Sequence, residues 1–366
     1  MEKRIKTMSE KVLPKRLEYL DSLRGLAAYA VVAGHFFPDS WVKRLPIINL
    51  VTDTKLAVCL FFILSGVVLT KQNYIKNINI WWIPIQVAAR LIRLAIPVFF
   101  VALFVWFLVY SNLLFNGRLP NGYEFWEAYI GLINGEIDLM RVIYFSFIET
   151  FFLYDNKTTL ITPAWTMRPE FIGSILVFIY AYLNHKGVIR NIPYLLILVS
   201  IICVFTYKYL PALFYCGFFL TGVALKKISE DNLTWLKYPL LSLISILIIK
   251  TILELFDIDS FELDYIFASL IIFFLMHAKS IHEVMSWRPF LWLARISFVL
   301  YLLHVPLIAS FGLNLLCYFG ENGVDVRVAQ LIVFVFLSLL LFIISRIFLP
   351  VETLAINLSR KIRSLY

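Results

Sequence analysis

Ten stretches of the chain are apolar over nearly the ~20 residues that an α-helix needs to cross a bilayer. They cover residues 17–37, 54–71, 94–115, 167–184, 191–210, 211–225, 238–256, 264–280, 292–313 and 327–349. The pattern predicts an all-α fold: a polytopic membrane protein of about ten transmembrane helices, with both termini on one side. The sixth segment is the least sharply bounded, because Pro211 opens it and Thr221-Gly222 interrupts it. Residues 116–166 separate the third and fourth segments, and their runs FWEAYIGLI and RVIYFSFIETFFLY predict helices lying at or dipping into the interface. On the other side, Trp81–Pro97 predicts an amphipathic interfacial helix that leads into the third crossing, with Arg90 and Arg93 at the boundary. No internal repeat is visible.

Composition agrees with the pattern. A length of 366 residues would fit two or three soluble domains, but 61% hydrophobic residues and a mean hydropathy of +0.83 exclude them. The expected organisation is one integral-membrane domain over 1–366: a basic cytoplasmic tail at 1–16, a bundle at 17–349 and a second cytoplasmic tail at 350–366. The net charge of +9 does not point to nucleic acid, since most basic residues flank apolar segments. With the N-terminus inside, 22 of the 33 lysines and arginines fall in inner segments and nine in outer ones, which supports both termini being cytoplasmic. The first segment follows a basic stretch as in a signal peptide, but Asp21 and Arg24 interrupt it and no small-residue cleavage site follows, so it is expected to be retained. Cys59, Cys203, Cys216 and Cys317 share no metal-ligand spacing, and no metal is expected.

The first segment, RLEYLDSLRGLAAYAVVAGHFF, carries Asp21, Arg24 and His35. Eleven residues along a helix return His35 to within about 20° of Arg24, about 16 Å away along the axis. Asp21, one turn before Arg24, shares that face, and Gly25, Ala28 and Gly34 leave room for neighbouring helices. A charge in hydrocarbon costs at least about 2.5 kcal/mol, so such residues face a bundle interior or a watery cavity. The aligned pair marks an internal cavity. The competing reading has Arg24 snorkelling to the interface beside Asp21, and His35 capping the outer end of the helix.

The segment from Arg16 to His35 has the form LDxLRGxAxxxVxxxH and resembles the first helix of the acyltransferase-3 family, membrane O-acyltransferases that modify surface carbohydrates and some lipids. FFILSG (61–66), RLIRLAIP (90–97), AWTMRPEF (164–171) and RISFVLYLLHVPL (295–307) resemble further elements of that family, in its order. Two departures stand out: Met167, Arg168 and Pro169 precede Glu170, and Phe298 replaces a tyrosine.

Acyl transfer to an alcohol needs a base, charge stabilisation for the oxyanion and a grip on the donor. The resemblance implies an acyl-CoA donor, most often acetyl-CoA, that reaches in from the cytoplasm as substrate with no resident cofactor. It also implies a carbohydrate or lipid-linked sugar acceptor and a place among lipids of the cytoplasmic membrane. His35 is the candidate base, with Arg24 and Glu170 in the catalytic set. Glu170 is expected level with His35, where it orients the imidazole, binds an acceptor hydroxyl, or serves only as a helix-start carboxylate. Arg90, Arg93 and Ser65 are candidates for the donor, Ser65 standing equally for close packing. Trp165 is a sugar-stacking or belt residue. Ser297, Tyr301 and His304 share one helix face, which either meets the acceptor or bonds helices together. Without an appended soluble module, the membrane domain is expected to complete the transfer or to hand the acyl group to a separate protein. The rival reading is a proton-coupled secondary transporter of a small solute or lipid-linked sugar, although paired broken helices are not visible. G-x-S-x-G, H-E-x-x-H and P-loop motifs are missing, and His35 and Asp39 are too close for the soluble-type glycerolipid acyltransferase motif.

Overall fold

The computed structural model describes residues 17–37, 41–70, 78–115, 117–119, 123, 126–133, 137–189, 192–206, 211–230 and 236–365. The basic stretch 1–16 and the loop residues Asp39, Lys71, Lys76, Arg190 and Lys208 lie outside them. Among the described residues the chain is helical, without strands. The helices are α1 (Glu18–Phe36), α2 (Pro46–Val51), α3 (Thr54–Thr70), α4 (Trp82–Tyr110), α5 (Glu127–Ile133), α6 (Leu139–Tyr144), α7 (Met167–His185), α8 (Pro193–Phe205), α9 (Pro211–Ile228), α10 (Pro239–Leu255), α11 (Phe261–His277), α12 (Lys279–Met285), α13 (Arg288–Leu307), α14 (Leu313–Glu321), α15 (Val326–Ile347) and α16 (Leu349–Arg363). Their starts are chemically marked. Asp53, Ser260 and Asp325 accept from the N–H groups of Leu56, Leu263 and Arg327 at 2.9, 3.2 and 2.9 Å, and proline opens α8 and α10 where a missing N–H costs nothing.

By length and composition, four helical runs can cross a membrane: Pro46–Thr70, Trp82–Tyr110, Arg288–Glu321 and Val326–Ile347. A fifth is the pair α11–α12, if its 97° bend belongs to one span. The other predicted segments also fold as helices but are shorter or carry more charge. α8 has 13 residues and α10 has 17, so at about 1.5 Å per residue neither fills the ~30 Å hydrocarbon core, and α1 is interrupted by Asp21 and Arg24.

Three expectations are corrected. The interfacial helix over Trp81–Pro97 and the third crossing are one continuous helix, α4, of 29 residues with Pro97 buried inside it. A membrane helix tolerates that proline because neighbouring packing makes up for the lost backbone bond. The ninth segment is longer than expected: α13 runs through a π-helical turn at Ile308–Gly312, just after Pro306, into α14. The tail at 350–366 is mostly the helix α16, which packs along α4. Helices expected within 116–166 are present as α5, α6 and a π-helical stretch at Phe145–Leu153; Met140 of α6 and Phe152 and Leu153 of that stretch project outward.

α1 packs against α13 and α3, and α3 also packs against α9 and α11. Small residues set these crossings. A Cβ on Gly25 would lie 2.7 Å from the backbone N of Ala294 in α13, and one on Gly222 in α9 would collide with the Ile63 carbonyl of α3. A second fastening is ionic. The Lys250 side chain, 1% exposed, places Nζ 2.5 Å from Asp264, 3.1 Å from Asp53 and Glu254 and 3.6 Å from Asp259, tying α3, α10 and α11 together.

Overpacking the α3–α9 crossing is expected to cost about 1–3 kcal/mol. Gly222→Ala therefore lowers the unfolding temperature of detergent-solubilised protein, whereas Gly320→Ala, with nothing within 4 Å of its Cβ, does not; equal curves would rule out a tight crossing. Lys250→Met strands buried carboxylates and is expected to cost about 3–5 kcal/mol in the same assay. Wild-type stability in that variant would mean that water already solvates the cluster.

Candidate active site

Three cavities follow one another along α1 and α13. At the His35 end of α1 is a chamber of about 270 Å³, lined by His35, Lys55, Trp126, Tyr129, Trp165, Phe261 and Tyr301 among others. Beneath it is a neck of about 40 Å³, lined by Arg24, Phe61, Ser65, Met167, Glu170, Phe298 and Tyr301. At the Asp21 end, a vestibule of about 1120 Å³ is lined by Asp21, Arg24, Arg93, Arg295, Ser297, Arg346 and Glu352, with further residues of α15 and α16. The file is continuous in its walls. Arg24 and Phe298 line both vestibule and neck, and Val58 and Tyr301 line both neck and chamber. The turn count that put Arg24 and His35 on one face of α1 thus separates them along a single path.

The residue set against His35 is His304. On α13 the His304 ring is fully buried, with Nε2 3.3 Å from His35 Nδ1 and its own Nδ1 2.6 Å from the Tyr301 carbonyl oxygen. A carbonyl only accepts, so His304 carries its proton on Nδ1 and, when neutral, offers a lone pair at Nε2. His35 Nδ1 is also 3.0 Å from the Val31 carbonyl oxygen. A proton on His35 Nδ1 satisfies both acceptors, which leaves the lone pair of neutral His35 on Nε2.

Tyr301, one turn earlier on α13, separates chamber from neck. Its hydroxyl lies 3.2 Å from both the Pro163 carbonyl oxygen, to which it donates, and Thr166 Oγ1. Ser297, a further turn along, lines the vestibule and donates to the Ala294 carbonyl at 2.9 Å. The three residues of that polar stripe therefore stand at three depths. Trp165 lies in the chamber wall, edge-on to Phe62 and tilted against Tyr215.

Glu170 lines the neck rather than the chamber, and its partners are Ser65 and Arg90. Ser65 Oγ donates to Oε1 at 2.7 Å, and Arg90 Nη2 forms an ion pair with the same oxygen. Arg90 Nε also donates to Ser174 Oγ at 2.9 Å, and Ser174 Oγ donates to the Glu170 carbonyl at 2.6 Å. Arg90 was expected at the inner boundary, yet its side chain is only 13% exposed and reaches back into the bundle. The cause is the uninterrupted course of α4, which brings Arg90 alongside α7, where a buried carboxylate compensates its desolvation. Arg93, one turn later, lines the vestibule.

The motifs did not reveal several lining residues. Arg346 reads from the sequence as an inner-side positive charge and Glu352 as part of a tail, and Arg295 opens a family-like stretch without being marked as a site residue. Trp126, just before α5, and Tyr129 within it read from the sequence as interfacial aromatics. Lys55 comes from the start of α3 and is paired with Asp259 at 2.5 Å.

Among curated proteins and among solved structures, no match to the chain is found. The family whose sequence model matches is the acyltransferase domain family of type 3, over residues 17–349, nearly the whole chain. The motifs, the buried polar file and that match lead to one assignment: the chain belongs to the acyltransferase-3 family and is an integral-membrane acyltransferase.

Proposed function

We propose that the protein transfers an acetyl group from acetyl-CoA in the cytoplasm to a hydroxyl of a surface or lipid-linked carbohydrate, across the cytoplasmic membrane. The observation that carries this reading is the file of three cavities sharing wall residues, with a histidine pair at one end and arginines at the other. In this reading the chain makes ten crossings with both termini cytoplasmic, the shorter helices spanning where the bundle thins the bilayer around it. The vestibule then opens to the cytoplasm.

The vestibule suits a phosphate-bearing donor: four arginines face two carboxylates, and guanidinium groups bind phosphate in a bidentate manner. Its pantetheine arm enters the neck, which brings the thioester carbonyl toward His35. The chamber suits a sugar, because Trp165, Trp126 and Tyr129 offer flat apolar faces while His35 offers a polar edge. His35 Nε2 takes the proton of the acceptor hydroxyl as the oxygen attacks the thioester carbon. Arg24, three helical turns from His35 in the walls of neck and vestibule, holds the donor rather than the reacting carbon. Collapse expels the CoA thiolate, and the imidazolium returns its proton to that sulfur, giving the ester and free CoA. Throughout, His304 Nε2 holds the Nδ1 proton of His35 and so fixes which nitrogen acts as base. Glu170, bound by Arg90 and Ser65, keeps α3, α4 and α7 in register around the neck.

Two outcomes test this reading. With acetyl-CoA and an acceptor glycan, His35→Ala is expected to lower kcat about 10²–10⁴-fold, and His304→Gln to lower it less while leaving KM for acetyl-CoA unchanged. Full turnover in His35→Ala would remove the base, and solute uptake that persists without acyl-CoA would favour a transporter. In cells, deleting the gene is expected to remove an acetyl mass increment from surface glycans in mass spectra. An unchanged glycan profile would exclude a glycan acceptor.

A further inference from the structure

α16 follows the stretch that matches the family, and it supplies part of the vestibule wall. Its buried positions, Glu352, Ala355 and Ser359, are spaced three and four apart, the stripe of a helix laid along a neighbour. Ala355 and Ser359 suit such packing, but a carboxylate does not. Glu352 is 8% exposed, and its Oε1 has no hydrogen-bond partner. On α4, Arg93 Nη1 is likewise buried without a partner. The Glu352 carboxyl has a backbone hydrogen bond at Val299, but one of its oxygens and one Arg93 nitrogen stay unpartnered in residues that line one cavity. The cations acting on Glu352 are Arg93 of α4 and Arg24 of α1, while Asp21 of α1, Arg295 of α13 and Arg346 of α15 share the same space. Burial pushes the Glu352 carboxyl above its usual range and the two arginines pull it back, as for an acid held near cations without a direct bond to them.

A fold that needed only to neutralise Arg93 would close the ion pair, as α7 does for Arg90 with Glu170. Here the carboxylate stops short, leaving the guanidinium able to turn to a second anion. Four arginines alone would also grip a polyanion equally before and after reaction, and such uniform binding slows product release without speeding chemistry.

We propose that Glu352 competes with the donor's phosphates for Arg93 and Arg24, weakening the hold on acyl-CoA and on the CoA product. This rests on the donor reading given above. Glu352 acts through the arginines and is not a catalytic residue.

The test uses the full chain, purified in nanodiscs and titrated calorimetrically with coenzyme A and, separately, with pantetheine, which lacks the nucleotide and its phosphates. Glu352→Gln is expected to bind CoA about tenfold tighter, with pantetheine affinity unchanged. Inhibition of turnover by CoA should strengthen to the same degree. Glu352→Ala takes its place if the glutamine variant does not fold. Unchanged or weaker CoA binding, with wild type binding CoA normally, overturns the competition. Equal tightening for pantetheine overturns it too, because packing rather than charge would then be the cause. If wild-type protein binds no CoA, the donor reading itself falls, and the competition with it.

Discussion

The cost of taking charge out of water governs how this bundle is arranged around α1. An arginine and a histidine on one face of a membrane helix are stable only if that face meets polar partners or water, and the structure supplies both in sequence along the helix. Gly25 and Gly34 let backbone approach α1 closely, from Ala294 at one end and Thr52 at the other, so the polar file stays narrow between them. Where a buried cation serves the fold, it is closed into ion pairs: Lys250 has carboxylates on several sides, and Arg90 has Glu170 and Ser174. The vestibule differs. There arginines outnumber carboxylates, and Arg93 is not closed into a pair. Excess positive charge under low dielectric is unfavourable for folding alone and favourable for holding an anion.

The division into vestibule, neck and chamber also fits the separate demands of the proposed reaction. The donor's nucleotide end needs charge and space, the thioester needs a dry site, and the acceptor needs a shaped, partly apolar wall. The neck, about 40 Å³ against about 270 Å³ for the chamber, is the narrowest part of the file. Met167, unbranched and adaptable, and the rings of Phe61 and Phe298 form much of that wall. The phenylalanine at 298 keeps this wall apolar where a tyrosine would add a hydroxyl.

Much of this was legible from the sequence because it depends on local periodicity. Hydrophobic run lengths located the long helices, and the Arg24–His35 spacing placed both side chains on one internal path. Of the stripe Ser297, Tyr301, His304, Ser297 lines the vestibule and Tyr301 the neck and chamber, while His304 is buried against His35. What escaped depends on tertiary context. The sequence separates an interfacial helix over Trp81–Pro97 from the third crossing, yet α4 is one helix, and that continuity carries Arg90 to Glu170. Arg295, Arg346 and Glu352 look like interfacial charges, since nothing in their neighbours tells which way a helix end is turned. The spacing of Glu352, Ala355 and Ser359 was present but weak, a stripe of one acid and two small residues that hydropathy does not register.

His304, one of the partners of the His35 ring, bears on the proposed chemistry. Neutral His304 fixes the tautomer through one hydrogen bond and adds no net charge. Glu170, the carboxylate that the motif brings nearest in the chain order of the site, is instead tied to Arg90 and Ser65 in the neck. In the proposed reaction, the neutral imidazole of His35 keeps its lone pair on Nε2 for the acceptor hydroxyl while His304 holds the proton of the other nitrogen.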